Sequence, residues 1–297
     1  MTRLTLAGIL GVALCGAALA GGTAAPAALA ASASAKDVAP SLSVETIVQR
    51  NAAARGGTEA WQRLNTMAWT GYVESAGTPG RRHAFLLEQK RPNKTRFELL
   101  TDGQRSIRLY DGRRGWKLRP NAGSGRPELA PYSEDELRYA RGAQVIDGPL
   151  MDGVAKGGTV TLVGRDQADG HTAYVLDITL PAGDSQRVWV DAETFLEVRQ
   201  DRQVRNAAGQ VHTFTVLFGD YHAFGGVQIA TTIETAGGTA GTPQNKLVIE
   251  RVALNPDIDD HEFARPDTPV SRRNSAVVDT RGVAQRNGST PPPSPHP

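Results

Sequence analysis

The chain has 297 residues, and its 33 basic and 31 acidic side chains leave a formal net charge of +2. So even a balance supplies no field that would gather nucleic acid or an anionic surface. The sole cysteine, Cys15, lies in an apolar stretch near the N-terminus, so the rest of the chain has no disulfide, no thiolate metal ligand and no thiol nucleophile.

Arg3 gives the N-terminus a short positive start, and Leu4 to Ala20 is apolar and broken only by small residues. Small-x-small patterns recur at Ala18-Leu19-Ala20, Ala28-Leu29-Ala30 and Ala33-Ser34-Ala35. This is the pattern of a cleaved secretory signal peptide over residues 1–35, and it predicts a periplasmic location. A linker over 36–42 follows. Cys15 is preceded by Leu14 rather than a small residue, which argues against lipid attachment there.

Val44, Ile47, Val48 and Ala52 mark a helix over Val44 to Arg55, capped by Ser43 and stopped by Gly56-Gly57. Thr58 then caps a short second helix carrying Trp61 and Leu64. From Thr66 the period becomes two. Strand patterns around Trp69, Phe85, Phe97, Ile107 and Trp116 are separated by turns at Gly77–Gly80, Arg91–Asn93, Asp102-Gly103 and Asp111-Gly112. Asn121 to Pro131 reads as loop, and Ser133 with Glu136 is a capping box for a short helix. The stretch to Val154 reads as loop or weak helix. Strands resume at Thr159 and continue to Leu254, with turns at Asp169-Gly170, Asp191–Thr194 and Asn206–Gly209 and one strand over Phe195 to Val204. Consecutive strands on short turns predict an antiparallel meander rather than βαβ units. A sheet of roughly ten or eleven strands is expected to curl or close, with helices against one face covering part of it. The domain spans 43–266, and the Pro-rich tail 267–297 reads as disordered.

The chemistry-bearing residues form no catalytic pattern. None of the six histidines sits in a paired-ligand motif, and Asp257, Asp259 and Asp260 depart from calcium-loop spacing. There is no nucleophile elbow, phosphate loop or dinucleotide fingerprint, so no catalytic residue, metal or cofactor is assigned. The unusual feature is apolar material on both faces of some strands. Leu86 and Tyr72 oppose Phe85, Leu87 and Trp69, and Trp189 opposes Val188 and Val190. Helices covering the second face would explain this, and so would an apolar cavity able to hold an acyl chain.

Several runs carry a family resemblance. They are Lys90-Arg91-Pro92-Asn93 before Phe97, Tyr110-Asp111-Gly112-Arg113-Arg114-Gly115-Trp116, Val188-Trp189-Val190-Asp191 with Phe195-Leu196, and Ile258 to Phe263 before Pro266. In this order they resemble the periplasmic outer-membrane lipoprotein carriers and their outer-membrane receptor relatives. The resemblance implies an unclosed barrel of about eleven strands, a helical lid and a cavity for lipoprotein acyl chains. It implies that Arg91 ties barrel to lid, and that Trp69, Phe85, Leu87, Phe97, Leu109, Trp116, Trp189 and Phe214 form the cavity wall. The expected role is non-enzymatic carriage or binding of lipoproteins or other lipids by a monomer, between membrane-associated donor and acceptor proteins. A periplasmic sensor or protein-binding module on the same barrel, and an exported hydrolase, are the competing readings.

Overall fold

A computed structural model describes residues 42–266 apart from 122–125, 142–145, 156, 180–184, 206–210 and 238–241. The expected signal peptide with Cys15, the linker up to residue 41, the Asn206–Gly209 turn and the Pro-rich tail lie outside the described residues.

Helix α1 (Val44–Ala54) begins where Ser43 Oγ accepts the Thr46 amide at 3.2 Å. Ile47 and Asn51, one turn apart, are its buried residues. Gly56 and Gly57, with φ of 104° and 92°, end it in a conformation that side chains with a Cβ resist. Helix α2 (Thr58–Gln62) starts from Gly57, without the side-chain cap expected of Thr58.

Two meanders follow. The first is β1 (Thr66–Ser75), β2 (Thr78–Lys90), β3 (Lys94–Thr101), β4 (Gln104–Tyr110), β5 (Gly115–Arg119) and β6 (Glu128–Pro131). Helices α3 (Glu134–Arg141) and α4 (Gly148–Ala155) lead to the second. It comprises β7 (Thr159–Ala168), β8 (His171–Thr179), β9 (Ser185–Asp191), β10 (Glu197–Arg205), β11 (Val211–Phe224), β12 (Val227–Gly237) and β13 (Thr242–Leu254). All belong to one antiparallel sheet of 13 strands, ordered β6-β5-β4-β3-β2-β1-β13-β12-β11-β10-β9-β8-β7. The seam between the meanders is β1–β13, paired from Met67↔Leu254 to Ser75↔Asn245. Among the described residues, strands β6 and β7 are free edges, so the sheet does not close into a barrel.

It nevertheless curls strongly. Glu136 of α3 accepts from Arg108 on β4 and Lys117 on β5, both at 2.7 Å, while Arg202 on β10 donates to the Tyr139 carbonyl at 3.2 Å. Strands β4 and β10 stand seven places apart. At ~4.8 Å per strand a flat sheet would part them by roughly 34 Å. A helix the length of α3 spans about 12 Å. Only a curled sheet brings both walls to it. Burial alone would push the Glu136 carboxyl up, but the hydrogen bonds from Lys117, the Ser133 amide and Arg108 hold it below the usual range.

The structure departs from the sequence reading in several places. The sheet has more strands than the eleven expected. β6 lies in a stretch that reads as loop; its Pro131 falls at the end of an edge strand, where a missing N–H is tolerated. The stretch that reads as loop or weak helix holds α4, which opens on Gly148-Pro149, because a proline in the first turn gives up only an amide that has no partner there. The first hairpin turns at Ala76-Gly77, and Thr78 to Gly80 is already strand. Phe195 lies before β10, with φ of 59°.

The segment after β13 crosses the face away from the helices. Asp260 pairs with Lys90 and Lys94 at 2.8 and 2.7 Å, Glu262 pairs with Arg96 at 2.9 Å, and Phe263 is fully buried. Hydrogen bonds from Lys90 and Lys94 hold the Asp260 carboxyl at about 2, below its ordinary 3.8. Its contribution to stability is therefore present above the ordinary value and is lost as pH falls toward the folded one. Asp260→Asn should lower the urea midpoint at neutral pH and flatten its decline between about pH 4 and pH 2. An acid limb identical to wild type would refute this account of the closing segment.

Candidate functional site

Register places alternate residues on opposite faces, and the helices mark one of them. Ile47 of α1 and Leu150 of α4 pack on Tyr174, Leu176, Ile178, Val188 and Val190. Trp61 of α2, Leu64 and Ile146 pack on Met67, Val227 and Ile229. In the middle of the same face Val73, Phe85, Leu87, Phe97, Leu99, Ile233, Leu247 and Ile249 form a cluster, with the Phe85 and Phe97 rings stacked 5.9 Å apart.

The helices are tied to the sheet through arginines. Arg91, in the β2–β3 turn, donates to the Leu64 carbonyl at 2.6 Å, the Trp61 carbonyl at 3.0 Å and Asp147 Oδ2 at 2.6 Å, and also bonds Asp147 Oδ1. Asp147 immediately precedes α4 and its side chain is 4% exposed. Arg55, at the end of α1, donates to the Asp147 carbonyl at 2.7 Å and lies 3.6 Å from the Glu197 carboxylate. Its guanidinium stacks on Trp61 at 4.2 Å, while the Trp61 indole N–H donates to the Arg55 carbonyl. Farther along α1, Asn51 donates to the Phe195 carbonyl at 2.9 Å. Asp191 fixes that turn by accepting from the amides of Glu193 and Thr194. One ionic network thus joins the β2–β3 turn, α1, the start of α4 and β10.

Between α1 and α4 an open groove of roughly 670 Å³ runs to the first residues of β7. Val44, Val48, Ala52, Leu150, Met151 and Val160 give it an apolar lining, and Glu45, Gln49, Thr58 and Thr159 are among its polar groups. The volume suits a small-molecule site. The apolar side chains along α1 recur at i, i+4 and i+8, so they form a straight stripe.

The eight residues expected to form a cavity wall do not come together as one surface. Phe85, Leu87 and Phe97 are on the helix-bearing face but packed into the core, each 2% exposed. Trp69 and Phe214 are half-buried on that face. Leu109 and Trp116 cluster with Ile107, Leu118 and Leu129 on the opposite face, because their neighbours Arg108 and Lys117 are the residues turned to α3. Trp189 is also on the opposite face, against Ala173, Val175 and Val198, with Arg199 stacked on its ring. Sequence reasoning missed Asp147, Arg55 and Glu197 as partners, and it marked Leu150 and Met151 of α4 as apolar contacts without placing a groove beside them. An acid set between Ile146 and Gly148-Pro149 was the available signal. Among the described residues no cluster of His, Cys, Asp and Glu could hold a metal, and no helix is long and apolar enough to cross a membrane.

No family model and no curated protein matches the chain. Among solved structures it is similar to a LolA superfamily protein from Nitrosomonas europaea, at 13% identity over 75% of this chain and 98% of that one, with a TM-score of 0.47. It is similar to a DUF1329 family protein from Desulfovibrio piger, at 13% identity over 74% and 96% of the two chains and a TM-score of 0.48. A protein described as an outer membrane lipoprotein-sorting domain, from Vibrio parahaemolyticus, matches at 13% identity over 74% and 95%, with a TM-score of 0.44.

Proposed function

We propose that the protein is a non-enzymatic periplasmic binding protein or carrier for lipoproteins or other amphiphilic lipids, with an acyl chain held against the helix-bearing face. The observation that carries this reading is the apolar groove between α1 and α4. Each methylene fully buried there is worth roughly 0.8 kcal/mol, and a long acyl chain sets that gain against lost translational freedom and chain ordering. Trp69 and Phe214 stand half-buried on the same face of the sheet, and Arg91 is the tie that keeps the helices seated while cargo is held. No cofactor enters this reading.

Protein refolded free of lipid should bind a fluorescent fatty-acid analogue saturably. Ala52 lines the groove and is half-buried. Ala52→Phe should fill the groove and weaken binding at least about tenfold while leaving the urea midpoint near the wild-type value. Absence of saturable binding by the wild-type protein would overturn the reading. So would unaltered binding by a folded Ala52→Phe variant.

A further inference from the structure

The groove between α1 and α4 is uneven in charge. Among the described residues that line it, Glu45 alone is ionic, and Gln49 continues the same edge one turn along α1. The arginines of α1 and its C-cap stand outside the lining, each held elsewhere. Arg50 stacks on the Phe195 ring at 5.1 Å. Arg55, 7% exposed, stacks on Trp61 and donates to the Asp147 carbonyl. Helix α4 brings no lysine, arginine or histidine, and its one charged residue is Asp152. The start of β7, Thr159 to Val163, is uncharged. Past Thr58, Glu59 pairs with Arg63 at 3.2 Å, so that end of α1 offers the groove no net charge.

Hydrogen bonds from its own amide and from Ser43 hold the Glu45 carboxyl below the usual range, so it is ionised at neutral pH. An acid in the first turn also suits the positive end of α1. That role asks only for a carboxylate at the helix start. It does not account for a groove framed by two helices that bring it no cation. A carboxylate or phosphate head group on a chain lying here meets a like charge and no counter-charge, whereas a cationic one meets a partner. We propose that the site selects amphiphiles with a cationic head group, a protonated or quaternary amine, over those that end in carboxylate or phosphate, and that Glu45 sets this preference. The alkyl chain lies along Val44, Val48 and Ala52, and the ammonium rests beside the Glu45 carboxylate. The inference depends on the acyl-binding reading above and narrows it by charge. Because Glu45 is open to solvent, the preference is modest and weakens with salt.

Dodecyltrimethylammonium, dodecanamide and dodecanoate share one chain length and differ in charge. Calorimetric titration of the whole mature protein, below the micelle concentrations, at low ionic strength and mildly alkaline pH, should rank them in that order. The cation should bind about tenfold tighter than the carboxylate, since an exposed ion pair gains a few-fold and a like-charge contact loses a similar factor. Salt at about 0.5 M should shrink the gap. With the neutral amide as reference for each variant, Glu45→Gln should bring cation and carboxylate to within about twofold, and Glu45→Lys should invert their order. Equal binding of cation and carboxylate by the wild-type protein overturns the charge inference and leaves the acyl-binding reading standing. So does a preference undiminished by Glu45→Gln or by salt. A cation affinity unaltered in a folded Ala52→Phe variant, when the amide's affinity falls, places the cation outside the groove and also overturns the inference. If none of the three binds saturably, both readings fall.

Discussion

Arg91→Leu is expected to lower the unfolding free energy by about 3 kcal/mol and to speed the release of any bound acyl probe. The size follows from what the guanidinium leaves behind. Asp147 keeps a nearly fully buried carboxylate, the Leu64 carbonyl loses the Arg91 donor, and the Trp61 carbonyl is left with the Leu64 amide alone. An orphaned buried charge costs about 3–5 kcal/mol, and the lower end applies because Arg91 itself is 26% exposed. The double variant Arg91→Leu/Asp147→Leu removes the orphan and should recover part of the loss, which a urea double-mutant cycle measures. A single-variant loss below about 1 kcal/mol would place Arg91 among weak rim ion pairs and remove the tie from the mechanism.

The second large effect is expected at the seam. In β1, Gly71 pairs with Ile249 of β13 beside a register irregularity between Thr70 and Gly71. A Cβ at this position would overlap the Val248 carbonyl oxygen and come within 3.0 Å of the Glu250 amide nitrogen. Both obstacles are backbone, so neither can rotate aside. Gly71→Ala should therefore cost about 3 kcal/mol or more, at the upper end of what overpacking does. At Gly77, in the exposed turn at the far end of β1, an added methyl would meet only Ser75 Oγ, at 3.8 Å. Gly77→Ala should stay within about 0.5 kcal/mol of wild type. Similar midpoints for the two variants would show that the seam yields where the geometry says it is rigid.

Much of the fold is legible in the sequence because local rules decide it. Ser43 and Gly56-Gly57 bracket α1, Ser133 with Glu136 starts α3, and Asp102-Gly103 and Asp169-Gly170 turn hairpins with positive φ at each residue. The period of two over Met67 to Val73 marks β1 correctly. The groove is not legible in the same way. Periodicity tells that Trp116 and Lys117 face opposite sides, but not which side the helices take. That choice is made by α3, whose Glu136 draws Arg108 and Lys117 to it and sends Leu109 and Trp116 away. Arg91 stands out only through family resemblance. Its partner Asp147 lies more than fifty positions away, in a stretch without a regular pattern. Aromatic residues favour strands, so the pattern puts Phe195 at the start of β10; the bond from Asn51 and the Asp191-capped turn hold it in the left-handed region instead.

The β1–β13 pairing also sets the order in which the molecule can be finished. Every other pair of neighbours in the sheet is consecutive along the chain, so two ribbons can each zip up from their own turns. Joining them means closing a loop that runs from one end of the domain to the other, an entropic toll that falls on a single step. A polypeptide delivered from its N-terminus must hold the flank of β1 bare until Leu254 has arrived. A chain cut short before Thr242 would keep two raw flanks, on β1 and on β12, each a template for another molecule.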